Sequence, residues 1–133
     1  MAAALKDRLT PFERLGGAVV LERIVERFYD LMERDRAYAE LRAMHAADLA
    51  PMRRSLAGFL TAWSGGPRNW FVENPGKCMM SVHGGLPIDA QTAGQWSAAM
   101  QRAIADVAPG DRETAELFAG RLDQIARAMA RIG

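Results

Sequence analysis

Residues 17–34 read Gly-Ala-Val-Val-Leu-Glu-Arg-Ile-Val-Glu-Arg-Phe-Tyr-Asp-Leu-Met-Glu-Arg. Leu21, Val25, Phe28 and Met32 recur at i, i+4, i+7 and i+11, which places them along one side of an α-helix. Glu22, Glu26, Arg27 and Asp30 fall mostly off that stripe, and Tyr29 lies on its flank, able to point inward. The period is helical and it recurs through the rest of the chain.

Upstream, Thr10-Pro11-Phe12-Glu13 has the form of a capping box with Pro11 at the first helical position, and Gly16-Gly17 ends that short helix. Downstream, a short helical piece is expected over residues 35–41, then an irregular stretch over 42–47. Asp48 is placed to cap a helix with Pro51 in its first turn and Leu49, Met52, Leu56, Leu60 and Trp63 as its buried stripe, Phe59 beside them. Gly65-Gly66-Pro67 stops it. Residues 68–77 hold Asn69, Asn74, Pro75 and Gly76 and read as a loop anchored by Trp70 and Phe71. Residues 78–83 suit one or two helical turns ended by Gly84-Gly85. Asp89 can cap a long helix to Val107, with Trp96, Met100, Ala103 and Val107 on one face, and Pro109-Gly110 separates it from a last helix whose apolar side is Leu122, Ile125, Met129 and Ile132. No segment alternates with a period of two. The expected class is all-α, four long helices around one core, with residues 1–133 forming a single domain.

At 133 residues and 14.6 kDa the chain can bury a real core without covalent staples. Lys+Arg number 17 against Asp+Glu 16, so bulk electrostatics do not point to a nucleic-acid or membrane-surface partner. No run approaches the ~20 apolar residues of a membrane helix. The opening apolar stretch is broken by Lys6, Asp7 and Arg8, so the cytoplasm is the expected compartment. One cysteine, Cys78, excludes an internal disulfide and a thiolate-rich metal site. The nucleophile elbow, the phosphate-binding glycine loop and the histidine pair one helical turn apart are all missing.

Two histidines remain, His45 and His83. His83 follows Lys77-Cys78-Met79-Met80-Ser81-Val82 and precedes Gly84-Gly85, a setting that can hold an imidazole out toward a cofactor. One imidazole cannot build a zinc site, which needs three or four ligands. It can complete a haem site, because the porphyrin brings four nitrogens and the protein adds one axial bond. The opposite side of such a site needs a few placed polar groups, and Tyr29, Trp96 and His45 are the candidates. A plain helical interaction module without haem is the competing class. A third is a six-coordinate electron-transfer haem protein in which the Met52 thioether opposes His83. A Cys78 thiolate ligand is a further alternative.

The sequence resembles the truncated haemoglobins, most closely their group II. The resemblance rests on residues 12–17 (Phe-Glu-Arg-Leu-Gly-Gly), Arg27-Phe28-Tyr29, Trp63-Ser64-Gly65-Gly66-Pro67, His83, and Trp96 thirteen residues after it. It implies a shortened two-over-two helical sandwich around haem b (iron protoporphyrin IX). It makes His83 the proximal ligand to iron, Tyr29 the distal tyrosine and Trp96 the tryptophan whose N–H points into the distal pocket. His45 takes the corner position, and Met52 and Leu56 the distal-helix pocket positions. Phe28, Phe59, Lys77 and Met80 complete the expected cofactor contacts. Group II relatives usually carry arginines just before the proximal histidine to pair with haem propionates. This chain has Met79, Met80, Ser81 and Val82 there, which turns attention to Lys77, Arg53 and Arg54.

The implied function is binding of oxygen and other diatomic ligands. Three hydrogen-bond donors around the ligand predict slow release, since each contributes about 1–2 kcal/mol, or roughly tenfold in affinity. Slow release favours nitric oxide dioxygenase or peroxidase-like chemistry, or sensing, over oxygen transport. With no flavin or nicotinamide motif, turnover calls for an external reductase. The sequence is compatible with a monomer or a homodimer.

Overall fold

The computed structural model describes residues 9–77 and 86–130. The expected capping box opens helix α1 (Pro11–Leu15): the Thr10 hydroxyl accepts from the Glu13 amide, and the Glu13 carboxylate accepts from the Thr10 amide. Gly16, at φ 115°, ends α1 and hands the chain directly to α2 (Gly17–Arg34). Every stripe residue of α2, together with Ile24 and Leu31, is buried, and Tyr29 has turned inward with them.

After α2, the Asp35 carboxylate accepts from the Ala37 amide at 2.9 Å and starts a 3-10 turn (Arg36–Tyr38), which continues into α3 (Ala39–Ala43). Then α4 (Ala50–Trp63) begins one residue later than the sequence suggests. Leu49 occupies the cap position, while Asp48 still accepts from the Ala50 amide at 3.0 Å. Asp89 caps α6 (Ala90–Val107) with Thr92 in a second reciprocal box, and Asp111 caps α7 (Arg112–Met129) by accepting from the Thr114 amide.

The stretch read as a loop over residues 68–77 contains a short helix, α5 (Asn69–Glu73). Its cause is tertiary. Trp70 and Phe71 both reach Phe59 on α4, with ring centroids at 5.1 and 6.1 Å, and a single helical turn is the backbone that puts adjacent aromatics there. The Asn74 side chain closes the turn by donating to the Trp70 carbonyl at 2.8 Å.

Helix α2 packs on α6 and α4, and α6 packs on α7, giving two helix pairs laid across one another with Leu21, Ile24, Phe28, Leu60, Met100 and Leu122 in the core between them. Ala99 and Ala103 on α6 are fully buried, and their small side chains allow close helix approach. The turn after α4 is sterically fixed. Gly65 has φ 104°, and a Cβ on Gly66 would lie 2.7 Å from the Phe12 ring, so Phe12 rests directly on glycine backbone. The Phe12 amide donates to the Ser64 carbonyl at 2.9 Å, docking α1 on the end of α4. No helix among the described residues is long and apolar enough to cross a membrane.

Candidate functional site

A cavity of about 480 Å³ lies between the helix pairs, bordered by α2, α3, α4, α5, α6 and α7. Its floor comes from one face of α4, where Met52, Leu56 and Phe59 recur at helical spacing. The far wall comes from Leu122, Ile125, Ala126 and Met129 of α7, with Ala93 of α6 beside them. Tyr29, His45 and Trp96 gather on the remaining side, and Lys77 supplies a cation to the lining. The lining is mainly apolar with a few polar groups, the composition of a cofactor pocket. A second, shallower groove along α2 and α6 is open surface lined by charges, including the Arg27–Asp106 pair at 2.8 Å, and has no such character.

Tyr29 and His45 stand edge to face with centroids 6.1 Å apart, and Phe28 contacts both Tyr29 and Trp96, at 4.9 and 5.3 Å. Neither the Tyr29 hydroxyl nor the Trp96 indole N–H makes a hydrogen bond among the described residues. Every fully buried side-chain polar atom there does have a partner, so these two donors open onto the cavity. Burial pushes the Tyr29 hydroxyl up to about 12, against a smaller lowering by the Arg53 charge, and it keeps its proton at neutral pH.

His45 behaves differently. Its Nδ1 lies 2.9 Å from the Leu41 carbonyl oxygen, which can only accept, so Nδ1 carries the hydrogen. The Nδ1 hydrogen is therefore committed to the Leu41 carbonyl, and the donors that open onto the cavity are those of Tyr29 and Trp96.

The other expected contacts divide in three. Leu56 and Phe59 line the cavity from positions packed on the core, and Lys77 lines it from an exposed position. Met52 lines it too, but at 38% exposure it does not belong to the buried stripe to which the sequence assigned it. Phe28 lies behind the lining, fully buried, and reaches the cavity only through Tyr29 and Trp96. Met80, His83 and Cys78 lie outside the described residues. Arg54 is exposed and outside the lining, and Arg53 is turned away from the cavity into carboxylates of α2.

Sequence reasoning missed the α7 wall. Leu122, Ile125 and Met129 read as an ordinary core stripe, and nothing in an apolar period says whether it faces another helix or a slot. Trp70 was also absent from the expected contacts. It lines the cavity while its indole donates to the Ser55 hydroxyl at 3.3 Å.

The family model for bacterial-like globins matches residues 10–131. The chain belongs to that family. Among solved structures it is similar to the group II 2-on-2 haemoglobin of Agrobacterium tumefaciens (25% identity, 91% of this chain and 93% of that one, TM-score 0.86). A cold-adapted truncated haemoglobin of the Antarctic bacterium Pseudoalteromonas haloplanktis is equally close in shape (28% identity, 91% and 97%, TM-score 0.86). So, slightly less closely, is the truncated oxygen-avid haemoglobin of Bacillus subtilis (28% identity, 91% and 98%, TM-score 0.82). Comparison with curated proteins returned no significant match. The globin is thus a truncated haemoglobin most like group II, and haem-based ligand binding is the general activity that comes with this family.

Proposed function

We propose that this globin binds haem b through His83 and holds oxygen or another diatomic ligand on the side of Tyr29 and Trp96, for redox chemistry on that ligand or for sensing it. Haem, when bound, supplies the iron at which such ligands attach and exchange electrons. The observation that carries the reading is the pair of cavity-facing donors, Tyr29 O–H and Trp96 N–H, neither paired among the described residues. In a cavity whose lining is mainly apolar, two such groups cost stability unless something polar meets them.

The lining fits a flat apolar group. Leu56, Phe59, Ile88, Ile125 and Met129 offer apolar contact, and Lys77 carries the positive charge that would suit a propionate. Tyr29 keeps its proton far above neutral pH and so serves as a donor throughout the physiological range. Trp96 can only donate. Two fixed donors favour a ligand that gains negative charge, which makes release slow and argues for nitric oxide dioxygenase or peroxidase-like turnover with an external reductase rather than oxygen delivery.

Purified protein expressed with haem supply should show a Soret band, and the ligand-free ferrous form should be five-coordinate and high-spin. A six-coordinate low-spin spectrum would instead support the electron-transfer reading, with Met52 as its candidate second ligand. Oxygen release from wild type is expected to be about tenfold to a hundredfold slower than from the Tyr29→Phe, Trp96→Phe double variant. Equal rates would overturn the distal assignment, and normal axial ligation in His83→Ala would overturn the proximal one.

A further inference from the structure

Arg53 adjoins the cavity-lining Met52 in sequence, yet its side chain crosses from α4 to α2. Nη1 donates to Glu26 Oε2 at 2.7 Å and to the Glu26 carbonyl at 3.2 Å, while Nη2 donates to Asp30 Oδ1 at 3.0 Å and to Glu33 Oε1 at 3.2 Å. Glu26, Asp30 and Glu33 are spaced i, i+4 and i+7, so one planar guanidinium collects a whole face of α2. The arginine side chain is only 18% exposed, although the carboxylates it meets are more open. Its Cζ also lies 5.6 Å from the centroid of the Tyr29 ring. Without the guanidinium, three carboxylates within two turns would repel one another beside Tyr29.

We propose that Arg53 is a positioning residue for Tyr29: by tying α4 to the carboxylate face of α2 and lying on the tyrosine ring, it keeps the Tyr29 hydroxyl in one place in the cavity. The proposal rests on the reading of Tyr29 as a ligand donor. Two features separate it from an ordinary surface ion pair. The guanidinium touches the ring whose hydroxyl faces the cavity, and its neighbours Met52 and Leu56 form the cavity floor. The Arg53 charge also lowers the Tyr29 pKa against the larger effect of burial, which makes the hydroxyl a stronger donor. A lysine would retain the charge but not the fork that spans three carboxylates.

The test uses the haem-loaded full chain as its ferrous carbon monoxide adduct, read by the infrared C–O stretch, together with oxygen release rates. Arg53→Met is expected to broaden or split the C–O band relative to wild type and to speed oxygen release about three- to tenfold. Arg53→Lys should fall between the two. In a Tyr29→Phe background, Arg53→Met should change neither readout. A lower melting temperature with wild-type band and rate would reduce Arg53 to a structural ion pair and overturn the proposal, as would an Arg53→Met shift that persists in Tyr29→Phe. If Arg53→Met does not fold, Arg53→Lys and Asp30→Asn carry the test, with graded band shifts expected and unchanged bands overturning it. If Tyr29→Phe alone leaves the band unchanged, the ligand-donor reading itself fails and the proposal falls with it.

Discussion

The two tryptophans of the cavity do opposite things with the same side chain. Trp70, in the α5 corner, is packed edge-on to Phe59 and Phe71, and its indole donates to Ser55. Trp96, on the α6 wall, is packed edge-on to Phe28, and its indole has no partner among the described residues. In the corner the polar handle has been used internally, so the side chain is committed to holding α5 on α4. On the wall the handle faces the cavity. A satisfied donor marks a packing residue and an open one marks a binding residue, even where both rings pack edge-on to phenylalanine.

The largest expected effect comes from emptying the corner. Trp70→Ala should cost about 3–5 kcal/mol in denaturant unfolding, because Phe59 and Phe71 cannot collapse across the gap. Trp96→Phe should do the reverse, speeding oxygen release about tenfold, or about 1.4 kcal/mol, in stopped-flow measurements while leaving the melting temperature nearly unchanged. If Trp96→Phe destabilised the protein as strongly as the corner variant, the distinction between the two residues would fail. Ser55→Ala should cost about 1 kcal/mol or less by leaving the Trp70 indole without its acceptor, with no change in oxygen release.

The smallest effect concerns how the wall is anchored. Ser97, next to Trp96, donates to Asp123 on α7 at 2.5 Å. That bond, then the one from Arg127, holds the Asp123 carboxyl below the usual carboxylate range. A pKa lowered by folding stabilises the fold above the unfolded-state value, near 3.9, and that stabilisation is lost as pH falls through the folded-state value. Melting temperature should therefore drop below about pH 4, and less so in Asp123→Asn, where the titrating group is gone. An identical acid profile in the two proteins would show that Asp123 does not anchor the wall.

Much of this architecture was legible in local chemistry. The Thr10–Glu13 box, the Asp89 cap and the α2 stripe all use interactions within four residues, which sequence spacing states directly. The α5 helix was not legible, because Asn69–Glu73 is helical only where Trp70 and Phe71 find Phe59. Met52 was misassigned to the core for a related reason. A helical period identifies a face but not what covers it, and α4 turns part of that face toward cavity space. Tyr29 and Trp96 were identified as candidate donors through the family resemblance as well as through their type, and only packing showed that each opens onto the cavity.

The sequence alone determined an all-α chain, its capping chemistry and its membership of a globin lineage, since these follow from period, caps and ordered motifs. Tertiary structure decided which apolar stripe faces a cavity, that the hydrogen on His45 Nδ1 is committed to the Leu41 carbonyl, and that Arg53 is bound to α2 rather than free in solvent. Those outcomes depend on which groups from distant segments meet, and contact between helices is settled by packing that no single stretch of sequence contains.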